Sequence, residues 1–339
     1  MVKNSNTGKT LKNFFNNPST PPFLILIAVV VVLLFAQDNF LRWSTIYGYI
    51  NSFAPLILLT MGQAVVIVSG GLDMSSGASL AVMVCALTKI MRTDEPITGL
   101  YAMVVVFLMA IGIGLVNGIS VGYFRLPAVI ATYATSFLWQ GMAQFITPSP
   151  GGQAVDWFRG FYNFSYVKGL EGMGDIVPPA LLLIIAGCII WSVIKRCKLG
   201  RYIYAVGSNY EAAFHSGINS TMIQIKAYII NALMIYLAAL FYAAQNAAGN
   251  SSMGDTLTLQ TIAAAIVGGI AMAGGRGNIH IAIVGALIMS FIGRVIYYLN
   301  VPSSYQTLVS GIIVIVAIAA GEIVAISQRK AELKGAKSV

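Results

Sequence analysis

Few residues in this chain have the types and spacing that chemistry needs. Gly8-Lys9-Thr10 echoes the end of a phosphate-binding loop, but Lys3 stands where the earlier glycine is required. No strand precedes it and no helix follows directly, so nucleotide binding is not expected here. Cys85 and Cys188 lie in apolar runs and Cys197 lies in a basic loop. Without a CxxC or a Cys/His cluster, neither a disulfide framework nor a metal site is indicated. No buried Asp/Glu/His relay is seen, since His215 and His280 both fall on the inner side. Asp73, Glu211 and Asp255 fall between apolar runs, and Glu322 lies one turn from the end of the last run. Arg294 alone lies well inside one, close enough to its outer end to snorkel. Ion-coupled carriers need ionisable groups at membrane depth. The chain therefore reads as a passive conduit or as a part that takes its work from a partner.

The elements around these residues are membrane helices. Hydrophobic residues make up 58% of 339 and charged residues only 9%, far below the charge of a soluble domain. Ten apolar runs are long enough, or nearly so, to cross a bilayer: 21–37, 50–69, 75–92, 98–120, 127–147, 176–195, 222–245, 257–273, 279–299 and 305–326. The third and eighth are short and rich in small residues. The expected fold is all-α, a polytopic membrane protein of about ten transmembrane helices. It divides into a tail 1–20, a membrane domain 21–326 and a tail 327–339.

With the N-terminus inside, 14 of the 20 Lys and Arg fall in inner loops and tails. Five fall outside, and Arg294 lies within a run. That bias fits the positive-inside rule and places both termini in the cytoplasm. The net charge of +9 is thus a topology signal. It lacks the aromatic interleaving of single-strand binders, so no nucleic-acid partner is expected. The polar N-terminal stretch and the long first run, with no small-residue cleavage site, do not read as a cleaved signal.

Glycines and prolines punctuate the runs. Gly112, Gly114 and Gly118 are expected to allow close helix packing. Pro21-Pro22, Pro127 and Pro178-Pro179 precede runs, where a missing N–H costs little. Pro55 is expected to kink or break the second run. The one long outer loop, 148–175, carries Trp157, Phe158, Phe161, Tyr162 and Phe164, which predict an interfacial or re-entrant helix. Asp73 reads as the N-cap of the third span.

The inner loop 195–221 carries the strongest signal. Glu211-Ala212-Ala213, followed after three residues by Gly217, resembles the EAA loop of ABC importer permeases. Gly217 is suited to end a short helix with positive φ. Around it, Gly200-Arg201, Tyr204-Ala205-Val206-Gly207, Asn209 and Ser216-Gly217-Ile218 resemble the ribose-type monosaccharide permeases. So do Gly70-Gly71-Leu72-Asp73-Met74-Ser75 with Gly77, and Asn117-Gly118 with Leu126-Pro127, Ile130 and Thr132. Ala264, Val267-Gly268-Gly269, Gly274-Gly275-Arg276-Gly277 and Gly285-Ala286 complete the resemblance, in family order over residues 45–325.

The resemblance implies one of two permease subunits, homo- or heterodimeric, in a bacterial inner membrane. It would work with a cytoplasmic ABC ATPase, which holds ATP and Mg, and with a periplasmic sugar-binding protein; the chain itself would bind no cofactor and be no enzyme. The ATPase would dock at Asn209, Glu211, Ala212, Ala213 and Gly217, with Asp73 and Arg276 as further contacts. Two positions depart from the pattern: Tyr133-Ala134 replaces the usual Leu-Gly while Thr135 is kept, and Arg294 falls where a neutral residue such as Asn is more usual. For the translocation path, sugars favour aromatic faces with amide and hydroxyl partners. Gln63, Thr132, Tyr133, Gln140, Tyr242, Gln245 and Asn246 are the candidates, with interhelical hydrogen bonding as the competing role. Two alternatives stay open: the same role for a branched-chain amino acid, nucleoside or furanose signal, and a free-standing secondary carrier.

Overall fold

The computed structural model describes residues 20–162 and 177–302, with single positions as far as 315. The tails, residues 163–176 of the outer loop and most of the tenth run therefore lie outside the described residues. What is described is helical. The helices are α1 (Thr20–Ala36), α2 (Trp43–Val68), α3 (Ser76–Ile90), α4 (Ile97–Gly118), α5 (Ala128–Ile146) and α6 (Asp156–Tyr162). After the gap come α7 (Pro179–Arg196), α8 (Lys198–Ser208), α9 (Tyr210–His215), α10 (Ser220–Asn246), α11 (Leu257–Val267) and α12 (Ile279–Tyr298). A π-helical turn, Ile119–Tyr123, extends α4.

Nine of the ten apolar runs coincide with helices. Among the described residues, five stretches are long and apolar enough to cross a membrane: α2, α4 with its π-turn, α7, α10 and α12. α2 starts seven residues before the predicted run and continues as helix through Pro55, so the chain does not break there. The eighth run is also corrected. Its helix, α11, has 11 residues and stops at Val267, where Gly268 and Gly269 begin a turn. An irregular stretch, 247–256, precedes it.

Asparagines start three helices by accepting a backbone N–H: Asn209 for α9, Asn219 for α10 and Asn278 for α12. Prolines stand where expected, Pro127 and Pro178 as N-caps of α5 and α7, and Pro21-Pro22 in the first turn of α1.

The core is built on α2 and α10, which cross against each other, with the short α3 beside them. In its most apolar window α2 is 83% buried and α10 72%, against 33% for α4 and 22% for α7. The outer helices accordingly present large apolar side chains outward: Phe107 and Leu108 on α4, Phe137 and Phe145 on α5, Ile189 and Val193 on α7. A surface like this suits hydrocarbon or another subunit, not water. Close packing rests on small residues. A Cβ on Gly114 would lie 2.7 Å from the Ile229 backbone, and one on Gly118 2.8 Å from Ile225. Gly112 faces open space instead. On α6, Phe158 is buried, and Trp157 donates its indole N–H to the Pro96 carbonyl at 2.8 Å.

Candidate functional site

α2 ends at Val68 and the chain turns sharply through Gly70, whose φ is +87°. The turn 69–75 then dives into the protein, and Asp73 is only 2% exposed. It is not the N-cap of α3: Ser75 holds that position, two residues on. The Asp73 carboxylate accepts the Ser75 N–H at 2.7 Å and the Ser75 hydroxyl at 2.6 Å on Oδ1. Its Oδ2 accepts the Asn231 amide of α10 at 2.6 Å. Ser75 Oγ in turn accepts from Asn117 of α4 at 2.8 Å, and Asn117 Oδ1 accepts from Thr135 of α5 at 2.7 Å. Such a network makes an interior carboxylate tolerable, because both of its oxygens have donors in place of water.

The backbone of the turn is held as firmly. Thr132 of α5 accepts the Met74 N–H at 2.9 Å. Tyr228 of α10 donates to the Leu72 carbonyl at 3.0 Å. Gln63 of α2, with its amide oriented by its neighbours, donates to the Asp73 carbonyl at 3.2 Å and accepts the Asp73 N–H at 3.1 Å. Gln63 and Thr132, offered by the sequence as path residues, are both fully enclosed. Each reaches turn 72–74 from its own helix, Gln63 at Asp73 and Thr132 at Met74.

Loop 195–221 meets this turn directly. It folds as α8 and α9. Tyr204 of α8 donates to the Gly277 carbonyl at 2.9 Å, and the Gly275 N–H donates to the Val68 carbonyl at 2.9 Å. Gly207, near the end of α8, sits where these backbones converge: an added Cβ would overlap the Val68 carbonyl oxygen. A Cβ on Gly274 would lie 2.7 Å from the Gly207 carbonyl and 3.0 Å from the Gly70 Cα. Three glycine motifs far apart in sequence thus form one joint. Turn 69–75, the end of α8 and turn 268–277 meet there backbone to backbone.

α9 follows immediately. Asn209 caps it, accepting the Ala212 N–H at 3.0 Å. At its other end Gly217 has φ +84°. The Gly217 N–H reaches the Phe214 carbonyl at 3.0 Å and the Ile218 N–H reaches Ala213 at 3.1 Å, a Schellman ending as the glycine predicted. Glu211 and Ala212 face outward and Ala213 inward. Glu211 pairs with Arg125 at 3.8 Å, and Arg125 also lies over the Tyr210 ring at 5.2 Å. Phe214 is 53% exposed beside them. Arg276 is exposed, and its carbonyl closes turn 271–276 by accepting the Ala271 N–H at 3.2 Å.

The remaining path candidates lie elsewhere. Tyr133 of α5 is 53% exposed, stacked edge-on against Phe137 at 4.9 Å. Gln140, two turns on, donates to the Ser251 carbonyl at 2.9 Å. Tyr242 is half-buried, while Gln245 and Asn246 at the end of α10 are exposed. Arg294 of α12 stands over Tyr49 at 5.3 Å and Phe53 at 5.8 Å, so aromatic faces accommodate its charge. Sequence reasoning passed over Asn231, Tyr228 and Phe214. Asparagine and tyrosine within apolar runs are the signal that could have found the first two.

Apolar helices on the outside and a buried polar hub within define a multi-pass helical membrane protein with an exposed short helix joined to its core. The chain belongs to the family described as branched-chain amino acid transport system / permease component, which matches residues 45–318. It is 30% identical to the ribose import permease protein RbsC of Escherichia coli K12 over 298 residues, 87% of this chain and 90% of that protein. It is 28% identical to the autoinducer 2 import system permease protein LsrC of Yersinia enterocolitica, over 88% of this chain and 81% of that protein. To the galactose/methyl galactoside import permease protein MglC of Salmonella typhimurium it is 25% identical, over 88% of this chain and 92% of that protein. No solved structure matches the chain significantly.

Proposed function

We propose that this chain is the membrane-spanning permease subunit of an ATP-driven monosaccharide importer in a bacterial inner membrane. In this reading about ten helices cross the bilayer, and both termini and loop 195–221 face the cytoplasm. The chain pairs with a second permease subunit, identical or not, and receives its solute from a periplasmic sugar-binding protein. A cytoplasmic ATPase supplies the work, with ATP and Mg bound there.

One observation carries the coupling role: α9 is exposed, and the helix before it is wedged by Gly207 against both glycine turns of the core. A push on Glu211, Ala212 or Phe214 reaches the Asp73 turn through packed backbone, without a flexible linker between. Aromatic residues are over-represented among the anchors of protein interfaces, which suits Phe214 to the docking face. Glu211→Cys in the assembled complex is expected to cross-link to the ATPase subunit and to no other component. Absence of any cross-link from 211 and from Phe214→Cys would remove this assignment.

Comparable identity to ribose and autoinducer 2 permeases favours a second reading: the same subunit role for a different solute. Uptake assays with the cognate binding protein and a panel of sugars separate the two.

A further inference from the structure

Stretch 247–256 lies where a membrane protein does not ordinarily place irregular backbone. α10 has 27 residues and spans about 40 Å, so Asn246 lies at the membrane face opposite loop 195–221. α11 has 11 residues, about 16 Å, and its C-terminal turn meets Val68 at the loop 195–221 face. A hydrocarbon core is about 30 Å thick. α11 therefore begins near mid-membrane, and residues 247–256 must cross the other half without a helix.

Contacts with α3 trace the descent. Gly249 pairs with Gly151 by backbone hydrogen bonds of 3.0 and 2.7 Å and faces the Cys85 backbone. Gly254 lies against the backbone of Gly77, two turns further along α3, and Thr258 accepts the Gly77 N–H at 3.0 Å. One side of this leg is thus sealed on α3. The other side exposes Asn250, Ser252, Asp255 and Thr256. Among the described residues, the Asp255 carboxylate has no salt bridge and no hydrogen-bond donor, and Gln140 Oε1 beside Ser251 has no donor either.

Non-helical backbone is stable at membrane depth only where protein buries it or where it lines a water-filled cavity. An unpaired carboxylate there cannot face hydrocarbon. We propose that leg 247–256 lines an aqueous vestibule in the half of the membrane opposite loop 195–221, and that Asp255, Ser252 and Gln140 form its subsite for a polyhydroxy solute. A carboxylate takes two hydroxyl donors at once, and a serine hydroxyl and an amide oxygen take others, which matches adjacent hydroxyls on a sugar ring. The solute class rests on the importer reading above; the vestibule rests on the geometry alone.

The test uses the complete complex in lipid nanodiscs on a Cys197→Ser background. Ser252→Cys and Asp255→Cys are expected to react with a charged, membrane-impermeant methanethiosulfonate. Val104→Cys, on the outward face of α4, is expected not to react. If 252 and 255 are as unreactive as 104, the leg is covered by another chain or by lipid and the vestibule is overturned. Asp255→Asn, which keeps the shape, is expected to cut binding-protein-dependent ribose or galactose uptake at least tenfold, with membrane levels and the 211 cross-link to the ATPase intact. Unchanged uptake in Asp255→Asn and Asp255→Ala overturns the subsite. Failure of the importer reading would show differently, as a missing 211 cross-link in the parent chain.

Discussion

Asn231, deep in α10, donates a 2.6 Å hydrogen bond to Asp73 across 158 positions of sequence. The bond ties the most buried part of a core helix to the turn that receives α8. Through Ser75, Asn117 and Thr135 the same carboxylate reaches α4 and α5.

Asp73→Ala should therefore destabilise the fold. It leaves the Asn231 amide and the Ser75 N–H without an acceptor in the interior, at about 1–3 kcal/mol for each orphaned group. Thermal unfolding of the purified protein in detergent should show a clear drop in midpoint, smaller for Asp73→Asn, which keeps one acceptor. An unchanged midpoint in Asp73→Ala would mean the network carries no stability.

Gly207→Ala should prevent α8 from seating. Its methyl would overlap the Val68 carbonyl, and a carbonyl in a glycine joint has no room to retreat. The expected result is a chain that inserts at normal levels but has lost most of its uptake. Gly112→Ala and Gly141→Ala are the matched controls, since nothing lies within 4 Å of either added Cβ. Both sit inside helices, where alanine is favoured over glycine by roughly 0.5–1 kcal/mol, so neither should weaken the fold.

Glu211→Lys should abolish transport without affecting insertion. Its own ion pair is not the reason. Glu211 and Arg125 are 64% and 62% exposed at 3.8 Å, and exposed pairs contribute about 0–1 kcal/mol. Arg125→Ala should accordingly leave uptake within about twofold if the pair has only that surface value. An equal loss in Arg125→Ala and Glu211→Lys would shift the role from docking to the pair itself.

Tyr133→Ala should weaken sugar handling, whereas Gln63→Ala should act through stability. Tyr133 exposes its ring on α5 beside Phe137, while Gln63 is enclosed and bonded to the backbone of Asp73. The expected signature is a raised half-saturating sugar concentration in the first and a lowered unfolding midpoint in the second. The reverse pattern would exchange their roles.

Composition and apolar runs located nine helices because a bilayer selects length and hydrophobicity, both local properties. α11 escaped this logic. Its run reads as continuous to residue 273, yet Gly268 and Gly269 end the helix at Val267, and burial rather than length keeps it in place. Pro55 does not break α2, where the residues from Phe53 to Val68 are all buried.

The ending of α9 was legible in sequence, because Gly217 acts within a few residues, through a positive φ that glycine adopts freely. The sequence alone determined that the protein is helical and lives in lipid, and its family resemblance implied a short helix in loop 195–221. Tertiary structure decided which polar residues are enclosed and which are open. Gln63 and Tyr133 look alike as candidates, but one bonds a buried turn and the other faces outward. It also decided that the motifs around Gly70, Gly207 and Gly274 are one joint. Backbone contact between distant segments depends on how helices cross, and no local pattern encodes that.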